Sequence, residues 1–365
     1  MTFLTRLRRH VADASPTRRC AAGLRYGACA LLIGAVAAAP AHADPLAFSA
    51  DGVIEAVTTA DGWVLRSEDG DVPLPFEKGA DVHVQHVEAT GSGWLLSATS
   101  RTDGGSRLVV VRRGPEGALA QPVPATSARV LLQPTVLADP ATGEPHVIAW
   151  IEGRSPRESS VRAARWNGAG WDETVVLAPQ GPGTQIALDA ARLDDESVLA
   201  VWSAFDGEDD EVVWSVTRDG VSWSAPTAIS KNAVPDVTPT VVAVDGGAVV
   251  AWSGFDGNDY RVWTSRFDGE SWSEARRHGE RGSVFPTFGP QKSAGPVLVY
   301  QQTAPAAWRV SRLDGDATEA STVSLESGKV RPVVLGVDDD GVTLRATSSD
   351  GAAKATARRV PWSKR

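Results

Sequence analysis

The sequence predicts an all-β protein: a β-propeller of four-stranded antiparallel blades, seven in number, with six as the alternative. Three observations predict it. A short phrase recurs about every fifty residues, the repeat length of a propeller blade. It reads Arg165-Trp166-Asn167-Gly168-Ala169-Gly170-Trp171-Asp172, then Thr217-Arg218-Asp219-Gly220-Val221-Ser222-Trp223-Ser224, then Arg266-Phe267-Asp268-Gly269-Glu270-Ser271-Trp272-Ser273. A second tryptophan precedes each phrase: Trp150, Trp202 and Trp252. Between these landmarks short apolar runs alternate with Gly-rich turns, and no helical repeat interrupts them.

In chain order, residues 1–43 read as a signal peptide and residues 44–365 as a single propeller domain. The leader carries Arg6, Arg8, Arg9, Arg18, Arg19 and Arg25, an Ala-rich apolar run over 28–39, and the small-residue cleavage pattern Ala41-His42-Ala43. Thr17-Arg18-Arg19 leaves the twin-arginine route open beside ordinary secretion. Either way the protein is expected outside the cytoplasm, in the periplasm or the medium. The apolar run is too short to span a bilayer, so no membrane insertion is expected.

Seven units follow. They cover 46–76, 81–125, 133–182, 184–232, 235–282, 285–327 and 331–362. The unit from Pro235 shows the pattern best. Thr240–Val244 is an apolar strand, Asp245-Gly246-Gly247 a turn, and Ala248–Trp252 a second strand. Arg261–Arg266 alternates as a half-buried third strand, Asp268-Gly269 turns the chain, and Ser271–Ala275 forms the fourth. The end units are incomplete, which predicts closure by a blade shared between the two termini.

Composition narrows the function. Both cysteines, Cys20 and Cys29, lie in the leader, so the exported domain has no thiol for catalysis, disulfide or metal. Without the leader there are 30 basic against 44 acidic residues, a net charge of −14. That balance argues against nucleic acid as a partner. His83 and His86 sit three apart on a strand, point to opposite faces, and form no local metal pair.

The phrase Asp-Gly-x-x-Trp resembles the Asp-box of the sialidase-like (BNR-repeat) propellers, without the residue that family places between Asp and Gly. The resemblance implies that Asn167, Asp219 and Asp268, with Trp171, Trp223 and Trp272, are structural and lie at the turn between third and fourth strands. Physical chemistry agrees: a short side-chain oxygen caps the turn, Gly takes the left-handed conformation, and Trp covers the blade junction. The sialidase catalytic set does not carry over. The exported chain has only Tyr260 and Tyr300, and no Arg-Ile-Pro segment near its start.

Propeller ligands bind at the channel mouth, on the face holding the links into each first strand and the loops from second to third strand. Candidate ligand-binding residues there are Gln133, Gln185, Asp236, Thr238, Phe285, Arg331, Asp256 and Tyr260. The acidic loops over 205–210 and 255–259 offer Asp206, Asp209, Asp256 and Asp259 as calcium ligands, with a solvated Asp-Gly turn as the other reading. No other cofactor is expected. The expectation is a monomeric, non-catalytic recognition or scaffold domain for a glycan or protein ligand; the alternative is an extracytoplasmic, sialidase-like glycoside hydrolase.

Overall fold

The computed structural model describes residues 46–49, 52–67, 69–91, 93–102, 105–114, 117–124, 130–155, 157–181, 183–193, 197–289, 295–313, 319–326, 332–346 and 357–362. The expected signal peptide, residues 1–43, and Arg331 lie outside them. The described residues hold no helix and form a seven-bladed β-propeller. The blades cover 46–73, 81–122, 130–178, 185–228, 236–278, 283–326 and 332–361. Each is an antiparallel meander in chain order, four-stranded in the first six and three-stranded in the last. First strands of successive blades lie side by side, so they surround the axis.

The expected shared blade is not what closes the ring. The first sheet takes all four strands from the N-terminal side, and the last takes its three from the C-terminal side. Across that junction Arg345 of the last blade approaches Glu55 of the first at 2.8 Å. The fourth strand of blade 5 is also displaced from its expected place. It is Arg276–His278, because Trp272 already forms an isolated bridge with Phe267 and leaves the sheet.

Strand alternation explains the core. Successive side chains on a strand face opposite sides, so each sheet serves two interfaces. In the second strand of blade 3, Pro145–Ser155, Ile148 and Trp150 pack toward blade 2, while Val147, Ala149 and Ile151 pack toward blade 4. In blade 4, Trp202 faces blade 3 and Val201 faces blade 5. In blade 5, Trp252 faces blade 4 and Val249 faces blade 6. Tyr300 takes the same place in blade 6. All four rings are buried.

The recurrent turn works as its chemistry suggests. Asp219 Oδ1 accepts the N–H groups of Val221 (2.8 Å) and Ser222 (2.6 Å). Asp268 Oδ1 accepts those of Glu270 and Ser271, and Asn167 Oδ1 those of Ala169 and Gly170. These bonds hold the Asp219 and Asp268 carboxyls below the usual carboxylate range. Gly220, at φ +75°, presses on the preceding blade: a Cβ there would lie 2.9 Å from Val147 Cγ2. Trp171, Trp223 and Trp272 each pack on the junction with the blade before.

Trp252→Ala is expected to cost about 3–5 kcal/mol, the range for emptying a large aromatic site in a core. Val221→Ala, on an exposed side chain of the same turn family, is expected to cost under about 0.5 kcal/mol. Urea unfolding of the two variants checks the contrast.

Candidate functional site

The axis-facing strands carry a repeated irregularity. Each first strand from blade 2 to blade 7 shifts register by one residue, the mark of a β-bulge. In blades 3 to 6 the bulge holds a non-glycine residue in the left-handed region: Gln133 (φ 48°), Ala187 (φ 55°), Thr238 (φ 56°) and Phe285 (φ 55°). A bulge frees backbone groups from the ladder, and the preceding blade satisfies several of them. Gln133 N–H donates to Gln85 Oε1 (2.7 Å), and Leu188 N–H to Gln133 Oε1 (3.1 Å). Phe285 N–H donates to Ser253 Oγ (2.9 Å); just past the bulge of blade 5, Val241 N–H donates to Asp189 Oδ2 (2.9 Å).

Gln133, Thr238 and Phe285 therefore occupy equivalent positions in three blades. Blade 4 puts Ala187 at that position; Gln185 lies two residues earlier, matching Asp236 of blade 5. Gln185 and Asp236 are both buried. Asp236 accepts Trp252 Nε1–H (3.0 Å) and Asn232 Nδ2–H (2.6 Å). Burial pushes its carboxyl up to about 7. Tyr260 packs against Phe255 with the rings tilted by 50° and their centroids 5.1 Å apart. Asp256 pairs with Arg261 at 3.1 Å.

The acidic loops do not act alike. Asp206 and Asp209 come together with Glu211, their carboxylate oxygens all within 4.8 Å. Asp256 and Asp259 instead meet arginines, Arg261 and Arg281.

A cleft of about 290 Å³ opens on the same face, between blades 2 and 3. Asp81, His83, Gln85, Thr99, Arg101 and Leu132 are among its lining. Alternation along the first strand of blade 2, Asp81–Thr90, builds it. Val82 and Val84 go into the core against blade 1, so Asp81, His83 and Gln85 face the other way. Pairing then places Arg101 opposite Asp81. His83 Nε2 lies 3.1 Å from Asp81 Oδ1, and Arg101 Nη1 lies 3.8 Å from Asp81 Oδ2. Gln85 Nε2 donates to Thr99 Oγ1 (3.1 Å), fixing the amide at the base. All three charged or titratable groups at the rim keep about half or more of their side-chain surface in water, Arg101 most (70%). Leu131 and Leu132 of blade 3 give the opposite wall an apolar surface.

None of these lining residues is among the ligand-binding candidates drawn from the sequence. Asp81-Val82-His83-Val84-Gln85 alternates polar with apolar, but so does Asp236-Val237-Thr238-Pro239-Thr240 of blade 5, so the pattern alone does not single out the cleft. The bulge between Val84 and His86 overturns the opposite-face expectation for the two histidines: Val82, Val84 and Val87 share the core face against blade 1, so His83 and His86 both turn toward blade 3. His83 stands in the cleft, while burial pushes the His86 imidazole down to about 4.

No protein-family model matches the sequence, and no curated protein matches it. Solved structures do resemble its fold. An ulvan lyase, a polysaccharide lyase, superposes with a TM-score of 0.53 at 9% identity, covering 88% of this chain and 92% of that one. The alpha-L-arabinanase of Penicillium chrysogenum, complexed with arabinobiose, gives 0.49 at 10% identity, over 76% of this chain and 93% of that one. The Aleuria aurantia lectin, in complex with alpha-methyl-L-fucoside, gives 0.44 at 10% identity, over 78% and 95%. At these identities the likeness speaks for the fold alone.

Two neighbours in the strand of the cleft titrate in opposite senses. The His86 imidazole is held below its ordinary value, so its contribution to stability is complete above about pH 6.5 and is lost as pH falls through about 4. Burial pushes Glu88 up to about 7, against the Ala138 N–H bond and the charge of Arg192. Its contribution is complete below about pH 4.3 and is lost as pH rises through about 7. Glu88→Gln should therefore make the urea midpoint climb more steeply between about pH 4.5 and 6.5 than in the wild type. A profile parallel to the wild type would count against the assignment.

Proposed function

We propose that this chain is a non-catalytic glycan-recognition propeller that acts outside the cytoplasm, and that a saccharide binds in the cleft between blades 2 and 3. The observation that carries the reading is the cluster of Asp81, His83 and Arg101 at the channel mouth, set against the leucines of the next blade. A sugar ring needs both kinds of surface. Vicinal hydroxyls pair with a carboxylate and a guanidinium, and the C–H face of the ring covers aliphatic side chains. The cleft's volume is near the lower end for small-ligand sites and suits one or two rings.

Binding is favoured over hydrolysis because glycoside hydrolysis takes two carboxyl groups about 5–10 Å apart. The described lining supplies one, Asp81, and that one is shared with His83 and Arg101. The neighbour with a TM-score of 0.53 is a polysaccharide lyase, which puts saccharides first among the ligands to try. The Asp-Gly-x-x-Trp turns fit a distant relation to the sialidase-like propellers.

The test is a glycan array followed by calorimetry on the best ligand, with product analysis on the same samples. Asp81→Ala and Arg101→Ala should each weaken binding about tenfold or more, as loss of a charge-assisted hydrogen bond does, with melting temperature unchanged. Retention of full affinity in both variants would remove the cleft from consideration, and cleaved products from the wild type would replace recognition with catalysis.

A further inference from the structure

Blades 4 and 5 contain the same loop between second and third strands, built from Phe205-Asp206-Gly207-Glu208-Asp209 and Phe255-Asp256-Gly257-Asn258-Asp259. The bonds match one for one. Asp206 Oδ1 accepts the N–H groups of Glu208 and Asp209, and Asp256 Oδ1 those of Asn258 and Asp259. Asp206 N–H closes on Asp209 O and Asp256 N–H on Asp259 O, both at 3.0 Å. The loops differ in what neutralises them. In blade 5, Arg261 lies 3.1 Å from Asp256, and Arg281 lies 3.9 Å from Asp259. The position of Arg261, paired across the strands with Gly254, corresponds in blade 4 to Glu211, paired with Ala204. A cation in one repeat is an anion in the other.

Burial sharpens the contrast. Asp209 is only 6% exposed, and neither of its carboxylate oxygens has a hydrogen-bond partner. Its oxygens share a space within 4.8 Å of those of Asp206 and Glu211. Among the described residues no lysine or arginine forms an ion pair with any of the three. Bringing three carboxylates this close, one buried and unbonded, is costly unless a positive charge joins them.

We propose that Asp206, Asp209 and Glu211 form a calcium site, in which the ion takes the place that Arg261 fills in blade 5. Calcium binds oxygens at about 2.3–2.6 Å, so oxygens sharing one ion lie at most about 5 Å apart, and the cluster meets that limit. Hydrogen bonds already orient Glu211 toward such an ion. Its Oε2 accepts Ser230 Oγ–H (2.5 Å) and its Oε1 accepts Asn232 N–H (2.7 Å), leaving each oxygen a lone pair. The same shell reaches the core of blade 5, since Asn232 also bonds Asp236, which holds Trp252. The ion therefore ties the junction of blades 4 and 5. Of the four aspartates that sequence alone offered as ligands, the site keeps Asp206 and Asp209, releases Asp256 and Asp259 to their arginines, and adds Glu211.

The full chain, stripped with chelator, is titrated with calcium chloride by calorimetry while its melting temperature is followed, with magnesium chloride as comparison. One calcium per chain, preferred over magnesium and raising the melting temperature, is the expected result. Asp209→Asn should weaken calcium binding at least tenfold and raise the melting temperature of the calcium-free protein, by removing one buried charge. Asp256→Asn should leave calcium affinity within twofold of the wild type. Absence of binding by the wild type at millimolar calcium overturns the proposal, as does a site lost in Asp256→Asn and kept in Asp209→Asn. The Asp81 and Arg101 variants of the cleft should bind calcium normally, so this outcome is independent of the glycan reading.

Discussion

A four-stranded antiparallel sheet has two faces to cover, and here each is covered by another copy of the same kind of sheet. The large aromatic of each second strand sets that packing. Trp150, Trp202, Trp252 and Tyr300 all point at the preceding blade, and the smaller residues beside them point at the next. These second-strand aromatics share their clusters with aliphatic residues of the preceding blade, while nearer the turn Phe267 and Trp272 of blade 5 meet Trp214 of blade 4. The tryptophans of the Asp-Gly turns extend the same junctions outward. A blade taken alone would expose one apolar face on each side, so the structure depends on neighbours round the ring.

Near the axis polar bonds take over. Buried serines on second strands reach the next blade's first strand: Ser97 donates to Pro134 O, and Ser203 to Asp236 O. Ser253 accepts from the backbone of Phe285 and bonds the Thr238 hydroxyl. The bulges supply the groups that these side chains satisfy, and so fix the angle between blades as well as their contact. Residues such as Gln133 and Thr238 sit at the channel mouth yet spend hydrogen bonds on this joinery. The cleft opens where blade 2 departs from the pattern and carries polar side chains facing blade 3.

Much of the fold is legible in the sequence because it repeats. A turn that needs Asp or Asn and then Gly, closed by Trp, leaves a local signature. Alternating apolar strands of similar length locate the blades, and all seven units expected from the pattern correspond to sheets. The closure is not legible in the same way: incomplete end units invite a shared sheet, whereas the first unit already holds four strands within 46–73. The candidate sites are legible only in part. The face follows from connectivity, and Asp206 and Asp209 from composition. Glu211 does not, since its role depends on its lying beside the carboxylates of the preceding loop where blade 5 has an arginine.

By itself the chain determined the propeller class, its turns and which aromatics are core, because each follows from local conformational preference and a repeated period. Tertiary structure alone decided which polar residues remain open at the mouth and which acids share a space without a counter-charge. Both depend on distances between residues of neighbouring strands and blades, and on burial, which a linear pattern does not encode.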